Sequence, residues 1–159
     1  MQANKNQYGR AIKVIKSDTV AIPNPSGLGS SGTATGTVAN QLVDATASFT
    51  TNLLGAIVVN NTDSTVANVV GFVSETVIVL DANIFASGET YSIYNSDNNQ
   101  GCALYIPAQT AAKLKVMTVG GDVVVLEACG GTGSSIILPI NVLKVFSTDT
   151  SLTNLVAIW

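Results

Sequence analysis

No window of about 11 residues or more in this chain keeps apolar side chains at i, i+3 and i+4 without meeting glycine or dense β-branching, so an amphipathic helix of ordinary length has no place to form. What the chain has instead is a series of short apolar runs, rich in Val and Thr, set between clusters of Gly, Asn, Asp and Ser. β-branched side chains fit a pleated, half-buried surface, and punctuation at such short intervals is the pattern of an all-β protein. Strands are predicted over 11–16, 20–22, 36–43, 56–60, 67–73, 76–80, 90–94, 103–106, 112–118, 122–127, 135–145 and 154–158, with short helical turns only at 49–54 and 83–86. The clearest local unit is a hairpin: Lys113-Leu114-Lys115-Val116-Met117-Thr118-Val119 alternates polar and apolar, Gly120-Gly121 turns, and Asp122-Val123-Val124-Val125-Leu126 returns. Strands without intervening helices favour an antiparallel β-barrel or sandwich.

Charge divides the chain. Between Ser17 and Ala112 there is no Lys or Arg, while Asp44, Asp63, Glu75, Asp81, Glu89 and Asp97 give 26–112 a charge of −6. All seven bases lie in the flanks, where they outnumber Asp18, Asp122, Glu127 and Asp149 and leave +3, for a net −3. Two breaks in regular structure coincide with this division. Pro23-Asn24-Pro25 leads into Ser26-Gly27-Leu28-Gly29-Ser30-Ser31-Gly32, which reads as a flexible Gly/Ser linker, and 95–101 is a matching polar exit. The expected organisation is a discontinuous outer β-domain, 1–25 plus 101–159, interrupted by a small acidic barrel-like module with its linkers, 26–100. Residues 1–7 are expected to be a flexible arm that orders on a partner, or an end with no role.

Several chemistries are disfavoured at the outset. The chain has no histidine, which removes Ser-His-Asp triads, Cys-His dyads and most metal centres. Two-carboxylate hydrolysis needs only a pair of acids, but no two of the ten are singled out. Gly27-Leu28-Gly29-Ser30-Ser31-Gly32 matches GxGxxG, yet a dinucleotide loop requires a strand before it and a helix after it, and here prolines precede and a strand-like run follows. Asp97-Asn98-Asn99-Gln100-Gly101 resembles the start of a calcium loop but lacks the terminal Glu and reads as a turn, as does the sequon Asn60-Asn61-Thr62. Cys102 and Cys129 have no metal-ligand spacing; buried free thiols and a disulfide both fit. The expectation is therefore no enzyme, no catalytic residues, no cofactor and no metal. Nucleic acid is not expected as a partner because there is no basic patch, and no apolar stretch approaches the ~20 residues of a membrane-spanning helix. Without an apolar leader at the N-terminus, synthesis in the cytoplasm is expected.

The surface is unusual. The chain is 47% hydrophobic and only 11% charged, against about 25% charged in typical soluble domains, so much of its exterior must be neutral or covered by other subunits. The 159 residues end on Leu155-Val156-Ala157-Ile158-Trp159, an apolar run with no polar tail. Such an end is either locked into the sheet and capping its own core, or part of a subunit contact. Tyr8, Arg10, Leu155, Val156, Ile158 and Trp159 are the candidate interface residues, and removal of 155–159 is expected to dissociate an oligomer.

The flanks carry a family likeness. Ser17-Asp18-Thr19-Val20-Ala21-Ile22-Pro23, Gly101-Cys102-Ala103-Leu104-Tyr105-Ile106, the hairpin through Gly120-Gly121-Asp122, Ile137-Leu138-Pro139-Ile140-Asn141-Val142-Leu143-Lys144-Val145 and the terminal Thr153-Asn154-Leu155-Val156-Ala157-Ile158-Trp159 resemble the spike-base and head-decoration (cement) proteins of tailed phages and gene-transfer agents. The likeness covers about half of the chain. The inserted block, with Gly36 to Asp44 and Asp81 to Tyr94, looks like a β-module that recurs in phage structural proteins and is lacking in the shorter spike-base relatives. The resemblance implies a virion structural protein on the capsid exterior, a homo-oligomer with a trimer favoured over a pentamer, and the major capsid protein as partner. A glycan- or host-surface-binding module is the alternative, with Tyr91 or Tyr94, on opposite strand faces, as the stacking ring.

Overall fold

A computed structural model describes residues 8–97, 99–110, 112–129 and 133–159, so the arm assigned to 1–7 and the middle of the turn at 97–101 lie outside the described residues. The fold is all-β, with two antiparallel six-stranded sheets. The chain divides into two compact units, Met1–Lys16 with Gln100–Trp159, and Ser17–Asn99. Residues 17–25, placed with the flanks by the sequence reading, fall in the second unit, where Val20 and Ile22 are buried and Asn99 Nδ2 donates to the Ile22 carbonyl at 2.9 Å.

The discontinuous unit contains β1 (Ala11–Lys13), β8 (Cys102–Ile106), β9 (Ala112–Thr118), β10 (Val123–Cys129), β11 (Ile136–Val145) and β12 (Val156–Ile158), in the order β1-β12-β8-β11-β9-β10. Period-two patterning sorts the side chains. Leu104, Ile106, Leu114, Val116, Val142, Val145, Leu155 and Ala157 point to one face and are buried. The β9–β10 hairpin closes through Gly121, whose φ of +90° is open to glycine, and the Thr118 amide donates to the Asp122 carbonyl at 2.9 Å.

The contiguous unit contains β2 (Leu28–Thr33), β3 (Gln41–Val43), β4 (Ile57–Asn60), β5 (Thr65–Ser74), β6 (Val77–Leu80) and β7 (Thr90–Tyr94), in the order β2-β7-β4-β5-β6-β3. A bridge between Gly36 and Val43 joins β3 to the chain just after β2, curling the sheet into a half-barrel. Its core is Leu42, Phe49, Val58, Val69, Ile78, Leu80, Phe85, Tyr91 and Ile93. Among the described residues helix is confined to single 3-10 turns at Pro25–Gly27 and Thr51–Leu53; the turn expected at 83–86 is not helical.

Three expectations change, the first being the strand expected over 36–43, which is a single bridge at Gly36, a turn at 39–40 and β3 from Gln41. The segment 20–22 is buried but joins no sheet: Ser17 Oγ accepts from the Thr19 and Val20 amides, so local side-chain bonds replace a ladder. The Gly/Ser stretch is not a flexible linker. After the turn at Pro25–Gly27, capped by Asn24 Oδ1 accepting from the Ser26 amide, it forms β2 and pairs residue for residue with β7 from Ser30↔Ile93 to Thr33↔Thr90. Its glycines serve close packing. A Cβ on Gly32 would lie 2.7 Å from both the Asp44 Oδ2 and the Tyr91 hydroxyl, and one on Gly27 would lie 2.6 Å from the Asn95 carbonyl oxygen. Gly32→Ala is therefore expected to destabilise the contiguous unit by about 2–3 kcal/mol in urea unfolding. An unchanged midpoint would show that β2 is not packed as described.

Candidate assembly surface

The sheet face opposite the core of the discontinuous unit is the face that a free subunit turns to water, and it carries a row of apolar side chains beside its lysines. Lys13↔Val156↔Tyr105↔Ile137 form one continuous cross-strand row over β1, β12, β8 and β11. Tyr105 is 36% exposed and Ile137 47%. On the same face of β10, Val123 and Val125 are exposed opposite Met117 and Lys115. Lys115 and Lys144 reach over the Phe146 ring, 5.1 and 4.7 Å from its centre, and Lys115 is also paired with Asp149 at 3.2 Å. An antiparallel sheet with one solvated face normally alternates apolar-in and polar-out. Here the outward face carries Val156, Tyr105, Ile137, Val123 and Val125 between its lysines, and an exposed cross-strand row of this kind is a candidate contact surface.

An open groove of about 520 Å³ lies at the end of this sheet, with Tyr8, Cys102, Pro139, Asn141, Ile158 and Trp159 among its lining residues. The Trp159 indole N–H is buried and has no hydrogen-bond partner among the described residues.

The six residues singled out by sequence separate into distinct positions. Tyr8, Ile158 and Trp159 gather at the groove, and Val156 lies in the apolar row. Arg10 and Trp159 exchange backbone hydrogen bonds of 3.3 and 3.0 Å, which ties the last residue into the sheet. Leu155 is 2% exposed and faces the unit's own core, so in the single chain it offers no surface. Sequence reasoning missed Tyr105, Ile137, Val123 and Val125. The run Val123-Val124-Val125 was visible, but which valines face water depends on the pairing with β9.

Other clusters have structural explanations. The Tyr91 hydroxyl donates to Asp44 Oδ2 at 2.8 Å, and both residues are buried, so Tyr91 is no stacking platform. Burial pushes the Tyr91 hydroxyl far above its ordinary range, helped by Asp44. Burial also acts to raise the Asp44 carboxyl, but bonds from Thr46 Oγ1, the Thr46 amide, Tyr91 and the Ala47 amide outweigh it and hold the group below its ordinary value. Asp63 and Glu89 are neighbouring carboxyl groups. Glu89 is held low by the Ala86 amide and by Asn60, which raises its neighbour Asp63. The sequon residue Asn60 is fully buried, donating to the Ile84 carbonyl and Glu89 and accepting from the Thr62 and Asp63 amides, so it organises a turn.

Cys102 and Cys129 are not joined by a disulfide; Cys102 is buried and Cys129 half-buried. The Cys102 thiol donates to the Val142 carbonyl, and burial raises its pKa to about 12. In the native protein at pH 8, Cys102 is expected to resist iodoacetamide until the unit unfolds, because the thiolate is the reacting species. Alkylation at the rate of the unfolded chain, followed by peptide mass spectrometry, would contradict this placement.

No family model matches the chain, and neither a curated protein nor a solved structure does.

Proposed function

We propose that the chain is a virion structural protein, a head decoration or spike-base subunit that cements the capsid exterior through oligomeric β-rich contacts with the major capsid protein. The observation that carries this reading is the apolar row Val156, Tyr105 and Ile137 on the sheet face away from the core, in a chain with only 11% charged residues. Cementing consists of burying apolar surface and strand edges across subunit seams, with about 1,000 Å² or more for specific attachment. The open groove lined by Tyr8, Ile158 and Trp159 lies on the same sheet as that row, and the resemblance of the flanking motifs to spike-base and decoration proteins points the same way.

A trimer is favoured because it matches local capsid symmetry. Immunogold labelling of particles sedimented from cultures that produce the chain tests the reading. Gold is expected on head exteriors, and labelling should weaken at least tenfold for Tyr105→Asp with Ile137→Asp. Unlabelled particles with all of the chain left in the supernatant would overturn the proposal.

A further inference from the structure

The sheet of the discontinuous unit ends on two different edges. β1 lies at one end and β10 at the other, and among the described residues no strand lies beyond either. All five pairings between neighbours are antiparallel, so the two edges run in opposite directions. If β10 of one copy meets β1 of the next with the sheets facing the same way, the new pairing is therefore antiparallel as well.

The hydrogen-bonding groups of the two edges also match. Arg10 and Trp159 bond to each other through their backbones and the Val14 amide donates to Leu155, so Arg10, Ile12 and Val14 turn their polar groups toward β12. Ala11, Lys13 and Ile15 then turn theirs outward. On β10 the Thr118 amide donates to the Asp122 carbonyl, so Asp122, Val124 and Leu126 turn toward β9 while Val123 and Val125 turn outward. The outward residues of both edges carry their side chains on the same, core-distal face.

We propose that the chain self-assembles head to tail by strand addition, β10 of one copy pairing with β1 of the next, with Lys13 opposite Val125. This rests on the reading of the chain as an oligomeric subunit and names the contact that would make it one. In this register Ile15 meets Val123, and the exposed Lys13 ammonium comes beside Glu127, whose own-chain partner is Lys113 at 3.2 Å. A register shift after Leu126 ends the straight part of β10, which limits the contact to a short, defined stretch. A second copy fits better than an unrelated strand because it brings apolar residues to the valines and a base to the acid. Pairing β10 with β10 would leave Lys13 without that acid and the β1 edge open. Head-to-tail contacts hold each copy at both edges and close into a ring when the rotation between copies divides a full turn.

The test uses the full chain. In a Cys129→Ser background, Lys13→Cys with Val125→Cys is oxidised and resolved on a denaturing gel; hydrogen-bonded antiparallel pairs place Cα atoms about 5.5 Å apart, within disulfide range. A covalent ladder up to one closed species is expected from the double variant only. Val125→Pro removes an outward amide that no internal bond uses, so light scattering should show its mass fall to that of one chain while cooperative unfolding is kept. Lys13→Glu should raise the concentration needed for assembly at least tenfold, and Glu127→Lys should restore it. A covalent dimer from Val125→Cys alone, an unchanged mass for Val125→Pro, or a wild-type monomer at every concentration would overturn the inference. Immunogold labelling of heads by a chain that is monomeric would leave the virion reading standing without this contact, and a ring that labels no particle would do the reverse.

Discussion

Deletion of residues 155–159 is expected to unfold the discontinuous unit, not simply to dissociate subunits. β12 lies inside its sheet, paired with β1 through Ile12↔Ala157 and with β8 through Leu104↔Ala157. Leu155 is 2% exposed and Ala157 fully buried. Loss of one buried leucine costs about 2–5 kcal/mol, and separating β1 from β8 removes two ladders more, against a total stability of roughly 5–15 kcal/mol for a domain. The Lys16 ammonium, which donates to the Thr150 and Leu152 carbonyls at 3.0 and 3.1 Å, would lose the ordered segment that holds it. In hydrogen exchange, amides of β8, β9 and β11 should lose protection while those of β4, β5 and β7 keep it. A truncated chain with full protection throughout would show that the last strand is dispensable, contrary to its central position. The conservative probe is Leu155→Ala, expected to lower stability by about 2–4 kcal/mol without changing the fold.

In the contiguous unit the largest single-residue effect is expected from Asp44→Ala. Its carboxylate is 2% exposed and accepts from the Thr46 amide at 2.8 Å, Thr46 Oγ1 at 2.7 Å and the Tyr91 hydroxyl at 2.8 Å. Removing it takes the carboxylate acceptor from the Tyr91 hydroxyl, whose ring packs between Phe49 and Phe85 with ring centres 6.1 and 6.2 Å away. The expected loss is about 3–5 kcal/mol, and Tyr91→Phe, which removes donor and hydroxyl together, should cost about 1–2 kcal/mol. The same carboxyl gives the unit a pH dependence of known sign. Its pKa in the folded state is below the unfolded value, so the stabilisation is present above the ordinary carboxylate range near pH 4 and is lost as pH falls through the depressed value. Urea midpoints between pH 5 and pH 2 should therefore converge for wild type and Asp44→Ala. A constant gap between them down to pH 2 would contradict the assignment.

Much of this fold is written in short-range sequence pattern. The β9–β10 hairpin was legible because alternation and Gly120-Gly121 act within a dozen residues, and 90–94 and 112–118 were found at their observed bounds. β2 was not legible. Ser-Gly composition is that of a flexible linker, and the reason for Gly32 lies with Asp44 and Tyr91, which reach it only after the sheet has curled. For the same reason Tyr91 read as a surface ring: nothing local shows that its hydroxyl will meet a carboxylate 47 positions away. The assembly surface was half legible. An apolar C-terminus drew attention to Ile158 and Trp159, but the separation of Leu155 to the core and Val156 to the exterior follows from strand register, and Tyr105 and Ile137 join Val156 only through cross-strand pairing.

Low charge, an apolar row on the sheet exterior and two complementary strand edges have one physical consequence in common: surface that water solvates poorly is available to be covered. Covering it by copies of the chain and by a capsid shell accounts for all three together. The most direct test is the copy number of the chain in purified particles, measured by quantitative mass spectrometry against the major capsid protein. The account predicts a fixed stoichiometry, a small integer ratio to capsomers, that survives gradient purification. A chain absent from purified particles, or present at variable trace levels, would contradict it.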